Sequence, residues 1–307
     1  MARPAKPLDV VVVGNVGVDT CVYFSTPGID FEVEANFTLN LDGIGQAGAY
    51  AARGYARLGA RTGFIGHVGE DANGRWIREV LAGEGIDLRG LATDPAGTSR
   101  SVNLMYPDGR RKNFYDGKSH MTLAVDLEAC RSLLQGVRLV HFNLANWART
   151  LLPLAREAGA LVACDLQDVV DPDDPYRQDF IQAADVLFFS AANHADPDPL
   201  IRRFLRGRPG RTVVCGMGAR GCAVGIGRRV RRFPAVELPT PVVDTNGAGD
   251  SLAVGFLSSR ILEGRSLEDA VLRGQIAARH ACTLRCDSSG LISRRALDAA
   301  FRRLRPG

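Results

Sequence analysis

The residues best suited to chemistry are Asp244-Thr245-Asn246-Gly247-Ala248-Gly249-Asp250. They follow an apolar run at 236–243 and lead into Ser-Leu-Ala-Val-Gly-Phe-Leu at 251–257, which reads as a buried helix. A glycine-rich turn that opens a helix leaves backbone N–H groups unpaired, and the helix dipole adds partial positive charge there. The turn is therefore an anion site. Asp250 sets a carboxylate beside it, where a site built only to hold a phosphate would avoid one. A carboxylate in that place suits a base that takes the proton from a hydroxyl attacking the phosphate. Asp in a first helical turn is often only a cap; Gly247 and Gly249 just before it favour the base.

Other motifs carry less. Gly216-Met-Gly218-Ala-Arg-Gly221 matches G-x-G-x-x-G, but a dinucleotide fold needs a helix next, and Cys222 onward reads as a strand and a turn. No NAD site is expected. These glycines either line a nucleotide phosphate or serve two tight turns. No G-x-x-x-x-G-K-[ST] occurs, so the anion cradle must work without a loop lysine. His280, Cys282 and Cys286 sit on a predicted helix, with both cysteines on one face; without a fourth ligand they read as core packing rather than a zinc site. The arginine-rich stretches at 228–232 and near the end lack interleaved aromatics, so no nucleic-acid partner is expected.

The elements that must position these residues follow from periodicity. The chain has 307 residues, 46% hydrophobic and 23% charged, enough for a core without disulfide or metal. Seven scattered cysteines, no apolar signal core at the N-terminus and no run long enough for a membrane lead to the expectation of free thiols, a cytoplasmic location and no membrane partner. Strands are predicted at 9–13, 61–68, 138–142, 160–165, 186–190 and 212–215, with helices at 47–58, 73–83, 126–135, 148–158, 176–183 and 198–206. Strand-helix alternation with apolar strands implies a parallel sheet covered on both faces. The regions 15–42 and 98–116 alternate differently; the second is a hairpin turning at Asp108-Gly109, and together they form a small second sheet. Gly221 to Glu237 is hairpin-like, and the tail from Leu252 is helical.

The chain resembles the ribokinase-type (PfkB family) carbohydrate kinases over nearly its whole length. The resemblance rests on DTNGAGDSLAVGF at 244–256, GHVGEDANG at 66–74 with Leu-Ala-Gly-Glu-Gly-Ile-Asp at 81–87, Gly14 with Asp19, and Gly45-Gln-Ala-Gly-Ala-Tyr50 leading to Ala56-Arg-Leu-Gly59. It implies a three-layer α/β fold, one catalytic domain over 1–307, with a β-sheet lid from about 15–42 and 98–118. It implies ATP and Mg²⁺ as cofactors, with a monovalent cation such as K⁺. Asp250 is then the general base, and Gly247, Ala248 and Gly249 supply the amides that hold the transferring phosphoryl group. Asp19, Gly45, Gln46 and Tyr50 would bind the sugar, with Asn103 and Tyr115 (and, equally placed, Asn113) reaching it from the lid. Gly216, Gly218, Gly221, Asn193 and Thr245 would line the nucleotide, and Asp244 would help place a metal-bound water or a monovalent cation.

This chain departs from the family pattern at four places. Gln46 replaces the second glycine of Gly-Gly, which stiffens a hinge. Tyr50 replaces an asparagine that reaches a sugar hydroxyl. Ser190-Ala-Ala-Asn193 stands for Asn-x-x-Glu and lacks its carboxylate. Gly216 stands where Thr or Ser often precedes the nucleotide-site glycine. Gln46 and Tyr50 argue against a plain ribokinase or fructokinase; a tyrosine can stack on a sugar ring or nucleobase. A larger sugar, a glycoside, a pseudo-sugar or a nucleoside remain as acceptors, and the opening segment is most similar to the branch that includes acarbose kinases of actinobacteria. A sugar-binding protein without turnover on the same scaffold is the reading from another class. Apolar faces on the lid strands suit a homodimer.

Overall fold

Four consecutive valines, Val10–Val13 (β1), are fully buried on both faces, as a central parallel strand requires. The computed structural model describes residues 7–305; Lys6 and the first residues of the stretch read for a signal core lie outside the described residues. β1 pairs in parallel with β4 (Thr62–Val68) and β8 (Leu139–Asn143). The sheet continues through β9 (Leu161–Asp168), β10 (Val186–Ser190) and β11 (Thr212–Gly216), then ends in the antiparallel β12 (Cys222–Ile226) and β13 (Arg229–Phe233). β5 (Asp87–Thr93) forms the opposite edge. One face is covered by α1 (Ala47–Arg57), α2 (Ala72–Gly83), α7 (Ala248–Leu257), α8 (Leu267–Ala281) and α9 (Arg294–Leu304). The other is covered by α3 (Leu127–Leu134), α4 (Leu152–Glu157), α5 (Pro175–Ala183) and α6 (Asp198–Arg206). This is the expected three-layer architecture.

The second sheet also matches expectation. β2 (Gly17–Phe24) pairs antiparallel with β3 (Thr38–Gly45) and parallel with β6 (Arg100–Met105), which pairs antiparallel with β7 (Arg111–Asp116). Register aligns Asp19 with Ser101 and Tyr115, Cys21 with Asn103 and Asn113, and Tyr23 with Met105 and Arg111. Side chains alternate between faces along a strand, so these residues share one face. Val22, Leu104, Val102 and Phe114 share the other.

The 66–74 motif holds the lid's base. Asp71 caps α2 by accepting from Gly74 N at 2.8 Å, and also accepts from Thr98 N at 2.8 Å and Thr98 Oγ1 at 2.7 Å, just before β6.

Local expectations fail at four points. β5 was not anticipated, because Asp87-Leu-Arg-Gly-Leu-Ala-Thr93 mixes charge and glycine as edge strands do. The left-handed residue after α2 is Gly85 (φ 77°), not Gly83. The helix expected at 148–158 begins as a 3₁₀ turn, Asn146–Leu151. Finally, α8 stops at Ala281, so Cys282 and Cys286 share no helix face. His280 is hydrogen-bonded to Gly290 O at 3.0 Å, and the Cys286 thiol donates to Asp19 O at 3.2 Å. Both are packing contacts, as the reading without zinc holds.

Candidate active site

Gly247 starts α7 from the left-handed region (φ 71°), which turns the chain sharply before the buried Leu252–Leu257 segment. The N–H groups of Gly247 and Gly249 find no acceptor among the described residues, while Ala248 N donates to Thr245 O at 3.3 Å. The Gly247 and Gly249 amides are therefore free at the helix head, as is that of Asp250, while Ala248, expected to contribute, is already engaged. Space above Gly249 is open. Gly247 is closed below by the Tyr50 ring, which a Cβ would strike. Tyr50 is only 5% exposed and packs with Ala281 and Leu291. Its ring is thus the floor of the cradle and offers no face for stacking, which corrects the stacking expectation.

Asp250 is half-buried at this turn. Burial, and then the nearby Asp165 carboxylate, push its pKa well above the usual carboxylate range, while Arg111 pulls it back. Asp165 lies near the end of the buried run of β9, 6% exposed, accepting from Gln167 N at 2.8 Å; burial raises its pKa too. Beside it in register is Asn143, the last residue of β8, 2% exposed and with neither amide atom hydrogen-bonded. Asp165 and Asn143 were not anticipated. The available signal was a polar residue ending an apolar parallel strand, because ligands bind at the carboxyl ends of such strands.

Asp19 lies on β2, buried, its Oδ2 accepting from Gln46 N at 3.2 Å; burial raises its pKa to about 6. Gly45 must be glycine because Asp19 occupies the Cβ position. Gln46 stands at φ 69°, ψ 156°, a region essentially confined to glycine and costing on the order of 1–3 kcal/mol. Its side chain turns to Ser99, whose Oγ donates to Oε1 at 3.1 Å. On the lid, Asn113 Nδ2 donates to Asn103 Oδ1 at 2.9 Å, and Asn15 Nδ2 donates to the Tyr115 hydroxyl at 2.9 Å. The structure thus places Asp19, Asn103 and Tyr115 on one face of the small sheet, with Gly45 against Asp19.

Asp244 does not offer an open carboxylate to a cation, contrary to expectation. It is 4% exposed. Oδ1 accepts from Asn246 N at 2.7 Å; Oδ2 accepts from the Tyr23 hydroxyl at 2.5 Å, Asn246 Nδ2 at 3.2 Å and Cys286 N at 3.3 Å. These donors fill both oxygens and make Asp244 a tie between lid and cradle loop. A second tie joins Arg111 of β7 to Asn246 Oδ1. Next to them lies a cavity of about 650 Å³ lined by Tyr23, Phe24, Tyr106, Thr245 and Arg285 among others.

On the other flank, Gly216 ends β11, and a Cβ there would lie 3.6 Å from Leu252 in the first turns of α7. A short 3₁₀ turn, Gly218–Arg220, follows, then Gly221 and β12. The strand after the turn upholds the rejection of a dinucleotide site. Gly218 (φ 57°) borders open space, whereas Gly221 (φ 90°) lies against the Phe233 backbone. Gly221 is therefore required by strand packing. Asn193 and Thr245 are exposed on loops at the same end of the sheet.

The pfkB family carbohydrate kinase profile matches residues 42–291. The chain belongs to this family. An acarbose 7(IV)-phosphotransferase of an Actinoplanes species is 34% identical over 298 residues, covering 94% of this chain and 97% of that protein. A 5-dehydro-2-deoxygluconokinase of Photobacterium profundum is 28% identical over 306 residues, covering 89% and 88%. Among solved structures, a microbiome-derived acarbose kinase superposes with a TM-score of 0.84 at 29% identity, covering 97% of this chain and 100% of that one. A ribokinase of Arabidopsis thaliana bound to ribose and ATP superposes at 0.81 with 21% identity, covering 97% and 99%, and shares the fold. As a pfkB kinase the chain transfers a phosphoryl group from ATP to a hydroxyl of a sugar-like substrate. No helix of the described residues is long and apolar enough to cross a membrane.

Proposed function

We propose that this pfkB kinase phosphorylates a pseudo-sugar or glycoside of more than one ring, with Asp250 as general base. The observation that carries the base assignment is Asp250 standing one residue after the free Gly249 amide at a helix head, with the Asp19 carboxylate near enough for its charge to act on it. The acceptor hydroxyl gives its proton to Asp250 as its oxygen attacks the γ-phosphorus, and Gly247 N and Gly249 N receive charge on the phosphoryl oxygens. Asp19, Asn103 and Asn143 supply polar atoms suited to sugar hydroxyls; a hydroxyl would relieve the two orphaned amide atoms of Asn143. The 650 Å³ aromatic cavity beside the cradle loop gives room for further rings. The similarity to an acarbose phosphotransferase supports an acceptor of that size.

Asp165 and Asp250 together fit Mg²⁺. Their raised pKa values mark carboxylate charge without a full counterion, and Mg²⁺ typically takes one or two carboxylates plus phosphate oxygens and water. No group of three or more possible ligands exists among the described residues, so the ion would arrive with ATP. Bound there it would neutralise charge on the phosphates. Asp165 would supply the carboxylate that Asn193 lacks. A monovalent cation would need ligands other than the filled Asp244 carboxylate. The nucleotide would lie along Gly216, Gly218, Asn193 and Thr245. A cytoplasmic location and a homodimer through the lid complete the reading.

Mg·ATP with a panel of monosaccharides, pseudo-oligosaccharides and nucleosides tests it. ADP release should be greatest with a pseudo-oligosaccharide, and Asp250→Asn should lower kcat by about three decades. A nucleoside as best acceptor, or tight sugar binding by calorimetry without ADP release, would reject it.

A further inference from the structure

The cradle loop and the first turn of α7, residues 244–251, contain no lysine or arginine. The helix dipole and two amides would face a phosphoryl group carrying far more charge than they supply, with Asp165 and Asp250 adding to it. The lid brings a side-chain cation that the loop lacks, in addition to any Mg²⁺ carried by ATP. Arg111 opens β7, opposite Met105 and on the face that carries Asp19 and Asn103. Its Nη1 donates to Asn246 Oδ1, one residue before Gly247. The Asn246 amide is oriented by its other end: Nδ2 donates to the Asp244 carboxylate, so oxygen must face Arg111. A guanidinium has five N–H donors. Arg111 uses one of them within the described residues.

We propose that Arg111 is a further catalytic residue, a lid cation that binds the transferring phosphoryl group over Gly247 and Gly249. This rests on the kinase reading above. The bond between the acceptor oxygen and phosphorus forms, the bond from phosphorus to the ADP oxygen breaks, and the proton goes to Asp250. Arg111 forms no covalent bond; its free N–H groups take up charge on the equatorial oxygens, in the planar geometry that suits phosphate. Its charge already favours the ionised forms of Asp19 and Asp250. Because Arg111 belongs to the lid, an open enzyme lacks it, and phosphoryl transfer to water is disfavoured until an acceptor closes the cleft.

The test compares wild type, Arg111→Met and Arg111→Lys in the full chain, using the acceptor that gives the fastest ADP release. Arg111 is exposed, so melting temperatures should agree. Arg111→Met should lower kcat by roughly 10²–10³-fold, the scale of losing one charge-stabilising donor, with ATP affinity by calorimetry nearly unchanged. Arg111→Lys should recover part of the rate. A second readout needs no acceptor: Mg·ADP with aluminium fluoride should bind wild type more tightly than Arg111→Met. Equal kcat, a loss confined to acceptor KM, or equal binding of the fluoride complex would each overturn the proposal. If wild type releases no ADP with any acceptor, the kinase reading falls, and the fluoride measurement still decides whether Arg111 binds a phosphoryl-like group.

Discussion

Asp250 and Asp165 are two carboxylates brought together from different elements; burial raises the pKa of both, and the Asp165 charge makes Asp250 harder still to ionise. A general base must be deprotonated, so its raised pKa places the acid limb of the rate profile above the ordinary carboxylate range near 4. Asp165→Asn removes the like charge and should therefore shift that limb to lower pH. It should also raise the Mg²⁺ concentration needed for half-maximal rate. An acid limb unmoved by Asp165→Asn would show that the two carboxylates do not interact. Gly247 and Tyr50 show the same interdependence in packing. The larger side chain where the family places asparagine is accommodated because its ring fills the space beneath a glycine.

At the level of elements, α7 is the working part, and its head is aimed by how tightly its body packs. Gly255 meets Gly274 of α8 so closely that a Cβ would lie 2.9 Å from the Gly274 Cα. α2 serves the lid instead. Burial opposes the charge on Asp71, but hydrogen bonds from Thr98, Gly74 and Asn73 outweigh it and hold its pKa below the usual value. Asp71→Ala removes a cap and both ties to Thr98, and should destabilise the fold by about 2 kcal/mol at neutral pH. A carboxylate whose folded pKa is depressed stabilises above its unfolded pKa, and that contribution is lost as pH falls through the folded value. The gap between wild type and Asp71→Ala in urea melts should therefore narrow toward acid pH. A gap constant from pH 7 to pH 3 would mean that the hydrogen bonds do not depend on the charge.

The whole molecule is a rigid sheet with a roof. The roof is tied down at its far end by Tyr23 on Asp244 and by Arg111 on Asn246, both within the loop that opens α7. The loop that opens α7 therefore carries both the cradle and the contacts of the small sheet. The outer face of the roof carries an apolar patch among Thr20, Arg100, Lys112 and Asp116: Val102 and Phe114, paired across β6 and β7, are 37% and 56% exposed, with Val22 and Leu104 alongside. A second copy of the lid would cover this patch. Sedimentation at micromolar concentration should show a dimer that Phe114→Glu converts to monomer. A wild-type monomer throughout would remove the lid from any interface.

Which parts of this were legible in the sequence follows the range of the forces involved. DTNGAGD, the buried valines of β1 and the alternation at 98–116 are local patterns. A helix head with left-handed glycine, a central strand and a hairpin are each dictated by neighbouring residues, so Asp250, Gly247 and Gly249 were readable. Asp19 beside Gly45 was recoverable only through resemblance. Asp165, Asn143 and Arg111 left little local trace, because Asp165 and Arg111 act on Asp250, 85 and 139 residues away in the chain, and Asn143 meets Asp165 only through strand pairing. Asp244 and Tyr50 were read for the wrong task for the same reason: the partners that fill the Asp244 carboxylate and cover the Tyr50 ring come from distant segments. By itself the sequence determined the layers, the second sheet and the aspartate on its amide turn. Tertiary structure alone decided the electrostatics of the site, because charge and burial act through space and are set by whatever the fold brings within a few ångströms.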